Sequence, residues 1–179
     1  AKADAIGFLA TTGFAPYTET WNEIKVLVDK ALSINENLAE AHYQLANYYF
    51  FLKGDFKLSL QAMLKGKAVS PNYPEINQYG CFLYTLAGDK KEAKKYLEDG
   101  LKVDPLSPET RFFEAYFNYM TENYELALEQ MEQLLVENDR NVPAHSIKAY
   151  ILIRLGRYAE ALTYFNSVPE EVRVVEDQL

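Results

Sequence analysis

The sequence is poor in the residues that staple or energise small proteins: among 179 residues there are one cysteine and two histidines. The single thiol, Cys81, excludes an intramolecular disulfide and any multi-thiolate zinc site. That usage fits a reducing compartment, so a cytoplasmic location is expected. Cations are also in deficit, with 18 Lys and Arg against 26 Asp and Glu and a formal charge of −8. Phosphate binding relies on clustered cations that release counterions, so no nucleic-acid partner is expected. No apolar run approaches the ~20 residues of a membrane span, so no membrane partner is expected either. There is no Gly-rich phosphate loop and no strand pattern to present one. The N-terminus has no initiator methionine and no basic-then-apolar leader. A chain that opens Ala1-Lys2-Ala3-Asp4 inside a helical pattern reads as a segment of something longer.

What is abundant is apolar and aromatic: 49 % hydrophobic residues, with 14 Tyr and 10 Phe. Some of these rings are expected to face solvent or a partner rather than a packed interior. The apolar residues also keep time. Small residues recur at Ser59, Ala93, Ala127 and Ala161, each 34 positions apart. Met63, Leu97, Met131 and Phe165 follow in the same step, and so do Gly66, Gly100, Leu134 and Val168. Turn signals hold the phase at Gly54-Asp55, Gly88-Asp89, Glu122-Asn123 and Gly156-Arg157, while Pro71, Pro105 and Asp139 mark unit ends. Two helices of roughly 14 residues with short connectors fill such a period. A small residue early in the second helix lets the first approach, and proline closes the unit because it cannot continue a helix. A single hairpin cannot bury its apolar face alone, so neighbours stack and share a core.

With these residues in register, the chain resembles the tetratricopeptide repeat family. The family's small first-helix position is matched by Ala46, Cys81, Ala115 and Ala149. The bulky position before it holds His42, Asn77, Arg111 and His145, where the family usually carries Trp or Tyr. The resemblance implies an all-α fold, a right-handed superhelix of about five helical hairpins forming one domain over residues 1–179. Units are expected at residues 39–73, 74–107, 108–141 and 142–168, the first with one extra residue around Phe51 to Lys53. A degenerate unit over 1–38 precedes them, pairing a helix at Ala3 to Thr12 with a second one beginning near Trp21. In that second helix Ile24, Val28 and Ala31 take the packing places, and Thr18 and Thr20 are the alternative N-caps. Pro169-Glu170-Glu171 is expected to start a C-terminal helix running to Leu179, its acidic first turn favoured by the helix dipole.

The residues themselves hold no convergent set for catalysis. His42 and His145 occupy the same place in units three apart, Cys81 falls where a small buried residue is needed, and the carboxylates are dispersed on solvent faces. No enzyme activity, cofactor or metal site is therefore expected. The resemblance instead implies a protein or peptide partner on the concave side lined by the first helices. Carried over, those places are Tyr43, Gln44, Asn47 and Phe50, then Gln78, Tyr79 and Phe82. Phe112, Phe113, Tyr116 and Tyr119 follow, and finally Ser146, Ile147, Tyr150 and Arg154. Rings supply rigid contact area at low entropic cost, and the amides can bond an extended backbone. Chaperone-tail-binding members of the family use Lys and Asn, then Asn, then Lys and Arg where this chain has Tyr43 and Asn47, Tyr79, and Glu109 and Phe113, with Asn47 alone agreeing, so that ligand class is not implied. Two other readings stand beside the groove. Gly13-Phe14-Ala15-Pro16, Trp21 and Leu38 to His42 are loosely similar to repeat segments of bacterial signalling proteins, which implies a regulatory module of a transcription factor or nucleotide cyclase. Exposed end helices of a stacked array imply self-association as a homodimer.

Overall fold

The computed structural model describes residues 15–173 together with Ile6, Gly7 and Ala10. The described residues form helices α1 (Tyr17–Ile34), α2 (Ala39–Asn47), α3 (Phe56–Val69), α4 (Pro74–Leu86), α5 (Lys90–Val103), α6 (Pro108–Met120), α7 (Tyr124–Glu137), α8 (Val142–Arg154) and α9 (Tyr158–Ser167). No strand occurs among them, and the chain is all-α. Helices α3, α5, α7 and α9 begin at 56, 90, 124 and 158, and α4, α6 and α8 at 74, 108 and 142, so both series step by 34.

Local chemistry explains why the starts recur. Asp55 and Asp89 accept from the amides of Leu58 (2.9 Å) and Glu92 (3.1 Å), and Ser107 and Asn141 do the same for Thr110 (3.2 Å) and Ala144 (3.1 Å). Helix α1 begins differently. Its N-cap is Pro16, with no side-chain cap bond. Thr18 and Thr20, expected as caps, lie inside the helix; the Thr20 amide is already taken by the Pro16 carbonyl at 3.0 Å. Proline's fixed φ launches the helix without help from a side chain.

The turns between paired helices need a left-handed residue. Gly54, Gly88 and Gly156 supply φ of 62°, 76° and 74°, and Glu122 adopts 71° at the same place. After it, the amides of Asp89, Asn123 and Arg157 each reach back five residues, to the carbonyls of Tyr84, Asn118 and Leu152 at 2.9 Å. In the first hairpin the equivalent amide, of Asp55, reaches back six, to Tyr49. The extra residue is absorbed by a π-helical turn, Tyr48–Leu52, that continues α2.

The chain falls into two compact units, residues 1–83 and 84–179. In unit one α1 packs on α2 and α2 on α3; in unit two α5 packs on α6, α6 on α7, α7 on α8 and α8 on α9. Ser59, Ala93, Ala127 and Ala161 are each the fourth residue of their helix and all are buried. Ala46, Cys81, Ala115 and Ala149 are each the eighth of theirs and are buried too. Contact is close at Gly66, where a Cβ would lie 2.5 Å from Ile76 Cδ1 and 3.2 Å from His42 Cβ. The polar residues early in the first helices have a task of their own. His42 Nε2 donates to the Glu36 carbonyl (2.8 Å), Asn77 Nδ2 to Pro71 (3.3 Å) and His145 Nε2 to Asp139 (2.7 Å), each six residues upstream. They tie the preceding connector to the helix. Arg111 breaks the pattern and pairs with Glu137 at 2.7 Å.

Beyond α9 the expected helix does not start at Pro169. Glu170–Val172 is a single 3-10 turn and Arg173 is extended; residues 174–179 lie outside the described part. Val172 packs with Val142 and Val168, and the Arg173 guanidinium donates to the Val168 carbonyl at 2.7 and 3.0 Å, which turns the chain out of helical register. Of the expected helix at Ala3 to Thr12, Ile6, Gly7 and Ala10 are helical and the rest lies outside the described residues.

The turn chemistry predicts opposite outcomes at equivalent positions. Glu122→Gly removes a left-handed non-glycine and raises unfolding stability by about 1 kcal/mol in a urea titration. Gly88→Ala lowers it by about 1–2 kcal/mol, an effect of backbone alone because an added Cβ meets nothing within 4 Å. Equal signs for the two substitutions would overturn this account of the turns.

Candidate functional site

In unit one the expected groove residues come from α2, its π-helical turn and α4. Tyr43, Phe50 and Phe82 are half-buried and stand around Tyr79, which is buried. Tyr43 and Phe50 meet the Tyr79 ring edge-on at 5.6 and 6.5 Å, and Phe50 meets Phe82 at 5.2 Å. The Tyr79 hydroxyl donates to the Ala46 carbonyl and shares a bond with Ser59 Oγ, both 3.3 Å. Burial pushes its phenol far above the ordinary range, so it stays neutral. Gln44, Asn47 and Gln78 are buried as well, inside the unit rather than on its surface. What this unit offers a ligand is therefore a set of half-buried rings resting on a fixed tyrosine.

In unit two the rings form a row. Phe112 touches Phe113 at 5.4 Å and stacks on Tyr116 at 6.5 Å; Tyr116 meets Tyr119 at 6.4 Å, and Tyr119 meets Tyr124 at 6.1 Å. All five are half-buried, and Phe112, Tyr116, Tyr119 and Tyr124 also lie against the core shared by α6, α7 and α8. The row ends at Arg154, an exposed residue whose Nε and Nη2 donate to the Tyr124 hydroxyl at 3.0 and 2.7 Å. That hydrogen bond keeps the guanidinium firmly charged. Desolvation pushes the Tyr119 phenol up, against the opposing pull of Arg154. The row thus presents ring faces and hydroxyls, with one cation at its end. Such a surface suits apolar or aromatic side chains accompanied by a carbonyl or carboxylate acceptor.

The remaining expected residues separate. Ile147 packs into the unit-two core. Ser146 and Tyr150 turn to another face, where they line a cavity of about 420 Å³ with residues of α9. His145 is held between Tyr164 Oη at Nδ1 (2.6 Å) and the Asp139 carbonyl at Nε2, so both ring nitrogens are engaged in holding the fold. His42 Nδ1 is buried without a partner. Cys81 is buried. Among the described residues no group of His, Cys, Asp and Glu is placed to hold a metal, and no helix is long and apolar enough to cross a membrane. Reading the sequence by first helices missed Tyr124, which sits on a second helix yet completes the row. Its signal was present: an aromatic directly after the turn, repeated 34 residues on as Tyr158.

Comparison with known proteins agrees with this architecture. The family model described as anaphase-promoting complex, cyclosome, subunit 3 matches residues 88–168, 81 of the 179 residues. No curated protein sequence matches the chain. A thermophilic tetratricopeptide protein of Thermus thermophilus superposes with a TM-score of 0.75 at 20 % identity, over 94 % of this chain and 91 % of its own. A tetratricopeptide repeat protein of Parabacteroides merdae gives 0.71 at 19 % identity over 88 % of this chain, which spans 62 % of that protein's length. YrrB, described as a tetratricopeptide protein with an unusual peptide-binding site, gives 0.56 at 18 % identity over 87 % of this chain and 81 % of its own. Identities this low show a shared fold.

The two aromatic groups make separable predictions. Tyr79→Phe strands the Ser59 hydroxyl and the Ala46 carbonyl in a buried place and lowers stability by about 1 kcal/mol. Arg154→Ala, at an exposed position, leaves it essentially unchanged. Thermal unfolding of both variants checks the assignment, and the reverse order of effects would refute it.

Proposed function

We propose that this chain, which has the fold of the tetratricopeptide repeat proteins, is a protein-interaction scaffold that holds a peptide segment of its partner on aromatic rows. The carrying observation is the continuous row Phe112, Phe113, Tyr116, Tyr119 and Tyr124 closed by the exposed Arg154. Rings anchored on one side in a core lose little entropy on binding, and Tyr and Arg are the residue types that concentrate binding energy. Part of the Arg154 guanidinium, Nη1, is not used by Tyr124, so it can donate a hydrogen bond to an oxygen of the segment. The chain's net charge of −8 repels strongly acidic segments, which favours a largely apolar or basic one with a single acceptor near Arg154. Half-buried Tyr43, Phe50 and Phe82 of unit one supply a second set of rings for the same task. Catalysis is not part of this reading, because rings and a guanidinium alone make no nucleophile–base pair.

Panning a displayed peptide library on the parent chain, then measuring the enriched peptides by calorimetry, tests the proposal. Phe113→Ser and Arg154→Ala each weaken those peptides by about tenfold or more. Enriched peptides that bind both variants as tightly as the parent would place the binding surface elsewhere.

A further inference from the structure

Arg154 is held in a way that decides what kind of acceptor it can take. Its Nε and Nη2 both donate to the one phenol oxygen of Tyr124, at 3.0 and 2.7 Å. That spends the inner edge of the planar fork. Of the five N–H groups of a guanidinium, three then remain. Two of these, one on Nη1 and one on Nη2, run parallel along the outer edge. A parallel pair of donors matches the two oxygens of a carboxylate, whereas a carbonyl presents only one.

The repeat supplies an internal control. Arg154 is the thirteenth residue of α8, and the thirteenth residues of α4 and α6 are Leu86 and Met120, both exposed. Packing therefore does not require a cation at this place. One unit earlier, the equivalents of Arg154 and Tyr124 are Met120 and Lys90, which offer neither fork nor phenol. Arg154 is also none of the chaperone-tail places, which hold Tyr43, Asn47, Tyr79, Glu109 and Phe113. The carboxylate of Glu122, an exposed residue, acts on the guanidinium through space, while the bonded partner is Tyr124. That charge and the chain's −8 disfavour a doubly charged phosphate more than a single carboxylate. We infer that the ring row takes a segment whose apolar stretch ends in a carboxylate, gripped by the outer edge of Arg154, with Tyr124 as the positioning residue that aims that edge. This rests on the ring-row reading and names what binds at its charged end. An acidic side chain and a free C-terminus are two sources of the same chemistry.

Three N-acetylated tetrapeptides serve as probes, each with three aromatic residues followed by a glutamate amide, a glutamine amide or a glutamine with a free C-terminus. Nuclear magnetic resonance follows their titration into the full chain, with the Arg154 Nε–H signal assigned by its loss in Arg154→Lys. At least one carboxylate peptide binds about fivefold tighter than the glutamine amide, the scale of an exposed charged pair, and moves the Arg154 signal. Which of the two does so identifies the source. Tyr124→Phe keeps the ring but releases the fork, so the preference falls below about twofold while the glutamine amide binds as before. A merely structural role for Tyr124 would weaken all three peptides alike. Arg154→Lys keeps the charge without the parallel pair and also loses the preference, whereas Glu122→Gln widens it. A preference that survives Tyr124→Phe or Arg154→Lys overturns the inference. Equal affinity of the three peptides for the parent, with all three weakened by Phe113→Ser, overturns it too and leaves the ring row standing. Peptides that do not bind, or that bind Phe113→Ser as tightly as the parent, overturn the ring row and this inference with it.

Discussion

Helices with no covalent cross-link between them hold together only where their surfaces come close enough to exclude water and fill space. In this chain that approach is set at one kind of position. Ser59, Ala93, Ala127 and Ala161 open each second helix, and Ala46, Cys81, Ala115 and Ala149 sit midway along each first helix, all buried. Dispersion contacts fall away steeply with separation, so a larger side chain at any of these places would push a pair apart along its whole length. Every other feature depends on that closeness. Gly66, which sits against Ile76 and His42, shows how little room the approach leaves.

Close packing of the small positions dictates where the large ones go. Rings cannot fit at the contact and are displaced to its margins, where they stand half-buried with one side in the core. That is how Phe112, Tyr116, Tyr119 and Tyr124 serve at once as walls of the interior and as surface. The polar positions obey the same geometry. His42, Asn77 and His145 begin the first helices at the point where a connector crosses, and each uses a side-chain donor to satisfy a connector carbonyl that the helices leave unpaired. Arg111 instead reaches Glu137, which shows that an ion pair can take the same place.

Much of this was legible in the residue order. The 34-residue step matches every helix start from α3 onward, and the extra residue of the first hairpin shows in the spacing, though its π-helical form does not. The candidate site was less legible. Listing first-helix positions brought together Phe112, Phe113, Tyr116 and Tyr119 but also named Gln44, Asn47, Gln78 and Tyr79, which are buried. Residue type does not reveal burial when tyrosine and amides are tolerated on both sides of a helix. The cap of α1 and the stretch from Pro169 to Arg173 departed from expectation for local reasons, a proline carbonyl in one case and the Arg173 guanidinium in the other.

Period, turn placement and acidity followed from the order of residues, because each depends on near neighbours or on composition alone. Which rings stay accessible, how Arg154 is anchored on Tyr124, and why Leu162 is bare while Leu128 is covered were decided only by tertiary packing. The two leucines occupy the same place in the repeat and differ only in what lies over them. A periodic sequence specifies equivalent surfaces; whether a given surface is filled depends on the next helix, and that is a fact of three dimensions.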